Sequence, residues 1–247
     1  MSPFLSIIIP AYNEAKRLPP TLRDIDAEMR KENFAYEIIV VSDGSTDATV
    51  DEARRVAEDI PCLTLIDNKE NRGKGAVVRQ GMLAARGDIR LFTDADNSTS
   101  IKHFRAMCPY FEQGFGVVIG SRAVRGAVLD PPQPIFRRIA GKALNLVTQA
   151  LLLPGIWDTQ CGFKAFTAAA AQEIFAKARV NGWAFDVEAL ALAKALGFRV
   201  REIPVTWKNN AFSRVPLSAG LHFITENITI RCRLWADAYR IRAARKW

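Results

Sequence analysis

The sequence predicts an α/β protein built on a mainly parallel, doubly wound sheet. Short apolar runs alternate with segments of helical period through the first 120 residues, the pattern of strand–helix–strand units. Polar clusters follow these runs directly, at the carboxyl ends of the predicted strands, where open α/β sheets bind ligands. No GxGxxG follows the first run, which argues against an ordinary dinucleotide-binding domain.

The first predicted strand is Phe4 to Pro10, followed by a helix from Leu18 to Lys31 with Pro19 and Pro20 in its first turn, where proline is tolerated. Tyr36 to Val41 is a second strand, and Thr46 or Asp47 caps a helix reaching about Glu58. Cys62 to Ile66 is a third strand. The basic, Gly-rich turn Asn71-Arg72-Gly73-Lys74-Gly75 then leads into a helix from Ala76 to Ala85. A fourth strand spans Ile89 to Thr93, a helix Ile101 to Phe111, and a fifth strand Val117 to Gly120. Beyond a proline loop at Pro131, Pro132 and Pro134, the pattern predicts an apolar helix from Ile135 to Leu153. A strand at Phe163 to Phe166 and helices at Ala168 to Ala178 and Ala184 to Leu196 come next. Arg199 to Pro204 and Val205 to Lys208 read as strands. Residues 1–215 are expected to form one domain, and 216–247 a basic amphipathic extension.

With 247 residues, 49% of them hydrophobic, the chain can bury a large core. A formal charge of +8 suits an anionic partner. The four cysteines are widely spaced and form no C-x-x-C pair, and no cleavable signal is evident. They read as reduced thiols of a cytosolic protein. Two histidines leave little room for a zinc site or a histidine base. The longest apolar run, Ala143 to Ile156, is interrupted by Asn145 and Gln149 and falls short of the roughly 20 residues that span a bilayer.

The fourth strand opens directly into Asp94-Ala95-Asp96-Asn97-Ser98. Two carboxylates one residue apart at a strand end can share a hard divalent cation, Mg2+ or Mn2+, leaving its other positions for water and substrate phosphates. Without a cation their mutual repulsion resists joint ionisation. At the first strand end stand Pro10, Ala11, Tyr12, Asn13 and Glu14. A ring and a carboxylate there can stack on and hydrogen-bond a base, and Asn13 and Glu14 equally suit a capping turn. Asp43 can accept a base imino proton or serve as a turn residue. Arg72, Lys74 and Arg79 suit a diphosphate or a solvated basic face. Asp158, Gln160, Gly162 and Lys164 form a polar turn beside a strand, while Asp186 and Glu188 open a helix whose dipole favours acids.

Taken in order, PAYNE, VVSDGSTD, NRGKGAVVRQG, DADNS, GSR, DTQCGFK and WAFDVE resemble the GT-A family 2 glycosyltransferases. Among these, the chain is most similar to the dolichyl-phosphate β-glucosyltransferases, with the dolichyl-phosphate mannose synthases as relatives. The likeness runs from Ser6 to about Arg214. It implies a GT-A, Rossmann-like fold and a donor site made by Pro10, Ala11, Tyr12, Glu14, Asp43, Lys74, Asp94, Ala95 and Asp96. It implies metal and diphosphate at Asp94 and Asp96, and acceptor or phosphate contacts at Arg122, Arg138, Asp158, Gln160, Lys164 and Arg214. Asp96, Asp186 and Arg122 become the catalytic candidates. Ser42 stands where the family often has an aspartate, and Ser98 where the mannose synthases have a metal-binding glutamine.

The activity so implied is inverting transfer of a hexose from a nucleotide sugar, UDP-glucose first and GDP-mannose as alternative, to a dolichyl or undecaprenyl phosphate. The acceptor's second pKa near 6 makes it largely dianionic at pH 7, so it needs little help from a base. Leu221, Phe223, Ile224, Ile228, Ile230, Leu234 and Trp235 interleave with Arg231, Arg233, Arg240, Arg242, Arg245 and Lys246. Such a segment suits a helix lying on the cytoplasmic face of an anionic membrane, or one packed on the body or in a dimer. A nucleotidyltransferase would want a Gly-rich signature after the first strand. A basic membrane- or nucleic-acid-binding module would leave the acidic pair without a purpose, so no nucleic-acid partner is expected.

Overall fold

The computed structural model describes residues 3–131, 135–208 and 219–241. The elements run β1 (Leu5–Ala11), α1 (Leu18–Met29), β2 (Tyr36–Asp43), α2 (Thr49–Asp59), β3 (Leu63–Asn68), α3 (Lys74–Ala84), β4 (Ile89–Thr93), α4 (Phe104–Glu112) and β5 (Val117–Ser121). There follow β6 (Val128–Asp130), α5 (Ile135–Leu151), β7 (Phe163–Thr167), α6 (Ala168–Lys177), α7 (Phe185–Leu196), β8 (Val200–Pro204), β9 (Thr206–Lys208) and α8 (Ala219–Trp235).

Seven strands form one sheet in the order β3-β2-β1-β4-β7-β5-β8. β1 pairs in parallel with β2 on one side and β4 on the other. The chain order reverses there, and in open α/β sheets that reversal opens the ligand crevice outside the strands' carboxyl ends. β7 is the exception, antiparallel to both neighbours. Its direction carries Phe163 and Lys164 to the level of Thr93 and Phe92, so the residues before β7 land at the carboxyl end of β4. β6 and β9 form a small separate parallel pair. β6 was not anticipated, because its three residues are exposed or half-buried and lack apolar alternation.

β1 is buried at every position, as expected of a strand covered on both faces. One apolar layer joins α1, α2 and α4 to the sheet through Leu22, Ile25, Val56, Phe104 and Met107. The opposite layer packs α3, α6 and α7 through Val78, Met82, Ile174 and Leu190. That second layer also takes in Phe223, Ile230, Tyr239 and Ile241. Much of the expected extension is therefore core, and Asn227 in α8 donates to Thr148 Oγ1 of α5 at 2.8 Å. Of the apolar side chains named for a membrane face, Phe223 and Ile230 are buried, and Ile228 and Trp235 are exposed. Arg242, Arg245 and Lys246 lie outside the described residues. Among the described residues no helix is long and apolar enough to cross a membrane.

Candidate active site

The loops after β1 and β2 are tied together. Asn13, at φ 55°, accepts the amides of Thr46 and Asp47 at 2.9 and 3.3 Å and donates its own to Ser45 Oγ. Glu14 donates its amide to Thr49 Oγ1, and its carboxylate is gripped by Arg17. Pro10 and Ala11 are buried at the strand end, whereas the Tyr12 ring is 44% exposed and free to stack. Asp47 accepts the amide of Thr49 at 2.9 Å, but the N-cap of α2 is Ala48, with no side-chain capping bond, rather than Thr46 or Asp47.

Asp43 is buried and holds the next loop: its two carboxylate oxygens accept the amides of Arg72 and Gly73 at 2.7 and 3.0 Å. The sequence suggested either a base contact or a turn residue, and the turn is what these bonds build. Gly73 has φ +93°, and a Cβ there would strike the carbonyl of Asn181. Arg79 spends its guanidinium on the Ala178 carbonyl, while Arg72 is exposed. Lys74 is the basic group of this turn that reaches the acidic pair, with Nζ 2.6 Å from Asp94 Oδ1. Burial disfavours its ammonium, but Asp94 and Asp186 outweigh that and hold its pKa above the ordinary lysine value. Nζ also lies 5.7 Å from the ring centroid of the exposed Trp183.

Asp96 Oδ1 accepts the amide of Ser98, and Oδ2 lies 3.9 Å from Arg17 Nη1. Ala95 between the two aspartates is buried, and its carbonyl accepts from Thr21. Do these residues fit a divalent cation? Both donors are hard oxygens, and a lysine ammonium already sits on Asp94 as positive charge. Ser98 Oγ, buried beside Asp96, has no hydrogen-bond partner, so one more oxygen is unspent. Among the described residues no three metal-ligating side chains cluster, so a cation here would rely on phosphate oxygens and water, the habit of Mg2+. Gly162 completes the cradle, since a Cβ there would fall on the Asp94 carboxylate. The residues fit.

Arg122 follows β5 and grips Asp158 bidentately, Nε to Oδ2 at 2.8 Å and Nη2 to Oδ1 at 2.9 Å. Burial would raise the Asp158 carboxyl, but Arg122 dominates and holds it below the usual carboxylate range. The amides of Trp157 and Asp158 are fixed in turn by Glu202 at 2.8 and 2.9 Å. Arg122 remains partly exposed, leaving donors of its fork for an anion. Gln160 is exposed on the same turn.

Lys164 is not on this rim. Its side chain is fully buried, with Nζ 2.6 Å from Asp186 Oδ1 and 2.5 Å from the Cys161 carbonyl. A charged group so enclosed must be paired, and Lys164 is spent on Asp186. Burial is the dominant influence on Asp186 and raises its carboxyl above the usual range, against the pull of Lys164 and Lys74. It likewise pushes the Cys161 thiol up to about 12. Arg138 falls within α5, and Arg214 lies outside the described residues.

Sequence reading missed Arg17, Glu202 and Trp183 at this site. Trp183 stood within the quoted WAFDVE motif without being assigned a role.

The glycosyl transferase family 2 profile matches residues 6–175. The chain belongs to glycosyl transferase family 2. It is 38% identical to the dolichyl-phosphate beta-glucosyltransferase of Drosophila melanogaster, over 98% of this chain and 78% of that protein. It is 36% identical to that of Dictyostelium discoideum, over 97% and 77%, and 34% identical to that of Homo sapiens, over 98% and 79%. Its fold matches glucosyl-3-phosphoglycerate synthase from Mycobacterium tuberculosis, solved with Mn2+, UDP and glucosyl-3-phosphoglycerate, at TM-score 0.67 and 19% identity, covering 93% of this chain and 80% of that one. A mannosyltransferase from Pyrobaculum calidifontis, solved with GDP-Man and Mn2+, matches at TM-score 0.63 and 24% identity, covering 97% and 65%. The fold is thus GT-A, and the protein is a glycosyltransferase.

Proposed function

We propose that this enzyme transfers glucose from UDP-glucose to a polyprenyl phosphate with inversion at the anomeric carbon. One observation carries the reading. Lys74 on Asp94, the neighbouring Asp96 carboxylate, and Arg122 on Asp158 converge outside the carboxyl ends of β4 and β5 and the amino end of the antiparallel β7, in a chain alike to dolichyl-phosphate glucosyltransferases over nearly its whole length.

The Tyr12 ring would stack on uracil, with Pro10, Ala11 and the loop pinned by Asn13 and Glu14 as its floor. Asp43 keeps the 71–75 turn in place, so the α3 N-terminus and Lys74 face the diphosphate. Asp94 and Asp96 would hold Mg2+ or Mn2+, which supplies positive charge for the departing diphosphate. Arg122, aimed by Asp158, orients the acceptor phosphate, with Gln160 beside it. An oxygen of that phosphate forms the new bond to the anomeric carbon as the bond to UDP breaks, and UDP leaves with the electron pair. Lys164 acts indirectly, by keeping Asp186 in place near Lys74.

The lipid acceptor calls for a membrane surface. Leu146 and Val147 of α5 and Ile228 and Trp235 of α8 are exposed apolar groups on two packed helices, and Arg231 lies over Trp235 at 4.7 Å. They support peripheral attachment to a cytoplasmic leaflet.

Titration calorimetry with UDP and GDP, with and without Mn2+, tests the donor. UDP is expected to bind more tightly, with Mn2+ strengthening it. A clear preference for GDP would move the enzyme to mannosyl transfer.

A further inference from the structure

Glu188 lies in α7 and is fully buried. Burying an ionised carboxylate is costly unless it is paired and hydrogen-bonded, and its partners come from two separate parts of the chain. Oε2 accepts the amides of Arg179 and Val180, both at 2.8 Å. Oε1 accepts the Tyr239 hydroxyl at 2.6 Å and lies 3.9 Å from Arg233 Nη1. The segment 179–184 is thereby tied to the C-terminal helix and the turn beyond it. Two further bonds repeat the tie: Arg179 Nη2 donates to the Ala238 carbonyl, and the Ala184 amide to Glu226 Oε2.

The same segment backs the donor turn. Asn181 accepts the Gly75 amide at 2.8 Å. A Cβ on Gly73 would strike the Asn181 carbonyl, and one on Gly75 would strike the Val180 carbonyl and approach Phe185 Cβ to 2.6 Å. These glycines let two stretches of backbone meet, which only a side-chain-free residue permits. On its far side the turn is held by Asp43, and it delivers Lys74 to Asp94. An unbroken series of contacts therefore runs from Tyr239 through Glu188 and Asn181 to the diphosphate turn.

We infer that Glu188 is a positioning residue for donor binding, the joint through which the seated C-terminal segment 219–241 holds the Gly73-Lys74-Gly75 turn in its phosphate-ready form. The inference rests on the proposed donor site, and it gives the C-terminal segment a part in forming that site. Loosening the C-terminal segment loosens the donor turn.

The test compares Glu188→Gln and Tyr239→Phe with Glu37→Gln. Glu37 is a buried carboxylate at the other end of the strands, held by Ser6 and Arg86, and its loss reports destabilisation alone. Hydrogen exchange on the ligand-free protein is read at 73–77 and 179–184, well below each variant's melting temperature. The Kd for whichever of UDP and GDP the wild type binds is measured with Mn2+. Both latch variants are expected to speed exchange in both segments and raise Kd about fivefold, the factor for one lost buried hydrogen bond, while kcat at saturating donor changes less. Tyr239→Phe removes a single hydroxyl and decides the matter if Glu188→Gln does not fold. Exchange at 73–77 no faster than in Glu37→Gln overturns the inference. So does a Kd unchanged in Tyr239→Phe despite faster exchange. The exchange readout needs no ligand, so it decides even if the UDP-glucose reading is wrong.

Discussion

The two halves of the molecule reach the same site in different ways. In the first half the residues facing the crevice come straight off strand ends: Tyr12 after β1, Asp43 at the end of β2, Asp94 and Asp96 after β4. They sit where a parallel sheet puts them, and some remain exposed or half-buried, with capacity left for a ligand. In the second half the charged residues are mostly committed to one another. Lys164 is enclosed with Asp186, Asp158 with Arg122, and Glu188 with Tyr239. On the proposed reading the first half makes most of the donor contacts, and the buried pairs of the second half hold that site in place. Charge at a family motif is therefore no sign of contact with substrate, and burial separates the two roles.

Breaking a pair in the second half should be costly to the fold as well as to catalysis. Asp158→Asn leaves Arg122 without its counter-charge, and loss of one partner of a buried pair costs about 3–5 kcal/mol. The misaimed arginine should also lower turnover by about 100-fold. Asp158 is held below the usual carboxylate range in the folded chain. Its contribution is therefore complete above the unfolded carboxylate pKa of about 3.9 and is lost as pH falls through the depressed folded value. Urea midpoints of wild type and variant should differ most at neutral pH and converge in acid. A gap that widens on acidification contradicts the pairing.

The smallest effect belongs to the surface of α8. Arg231→Gln with Trp235→Ser should weaken pelleting with anionic vesicles about fivefold, given about 1 kcal/mol per basic residue at such a surface. Salt should erase the arginine's part of that loss, and nucleotide affinity should stay unchanged. If the double variant pellets like wild type, attachment lies elsewhere.

Much of the first half was legible because strands buried on both faces read as apolar runs and the polar loops follow them directly. β1, β2 and β4 were placed to within a residue or two, and with them Asp43, Asp94 and Asp96. The direction of β7 was not legible, since composition carries no sign of whether a strand runs up or down. Lys164 read as an acceptor contact because the resemblance carried the whole DTQCGFK turn to that role, and lysine is rarely enclosed. Its enclosure depends on Asp186, which only the folded sheet and α7 bring near. The apolar stripe of α8 was seen, but amphipathicity does not say whether protein or lipid covers it. Here Phe223 and Ile230 meet the core, and Glu188 makes the docking specific. That carboxylate stood in plain view within FDVEALALA, one of two acids in an otherwise apolar stretch, where a helix-dipole explanation hid its burial.

The central claim is metal-dependent glucosyl transfer through the acidic pair, and one assay bears on it most directly. Wild-type enzyme and Asp96→Asn are each incubated with UDP-glucose, Mn2+ and a polyprenyl phosphate, and the lipid product is followed by mass spectrometry. The account predicts a polyprenyl monophosphate hexose from wild type, none in excess EDTA, and none from a folded Asp96→Asn protein. Equal product from the Asp96→Asn protein, or undiminished turnover in EDTA, would contradict it.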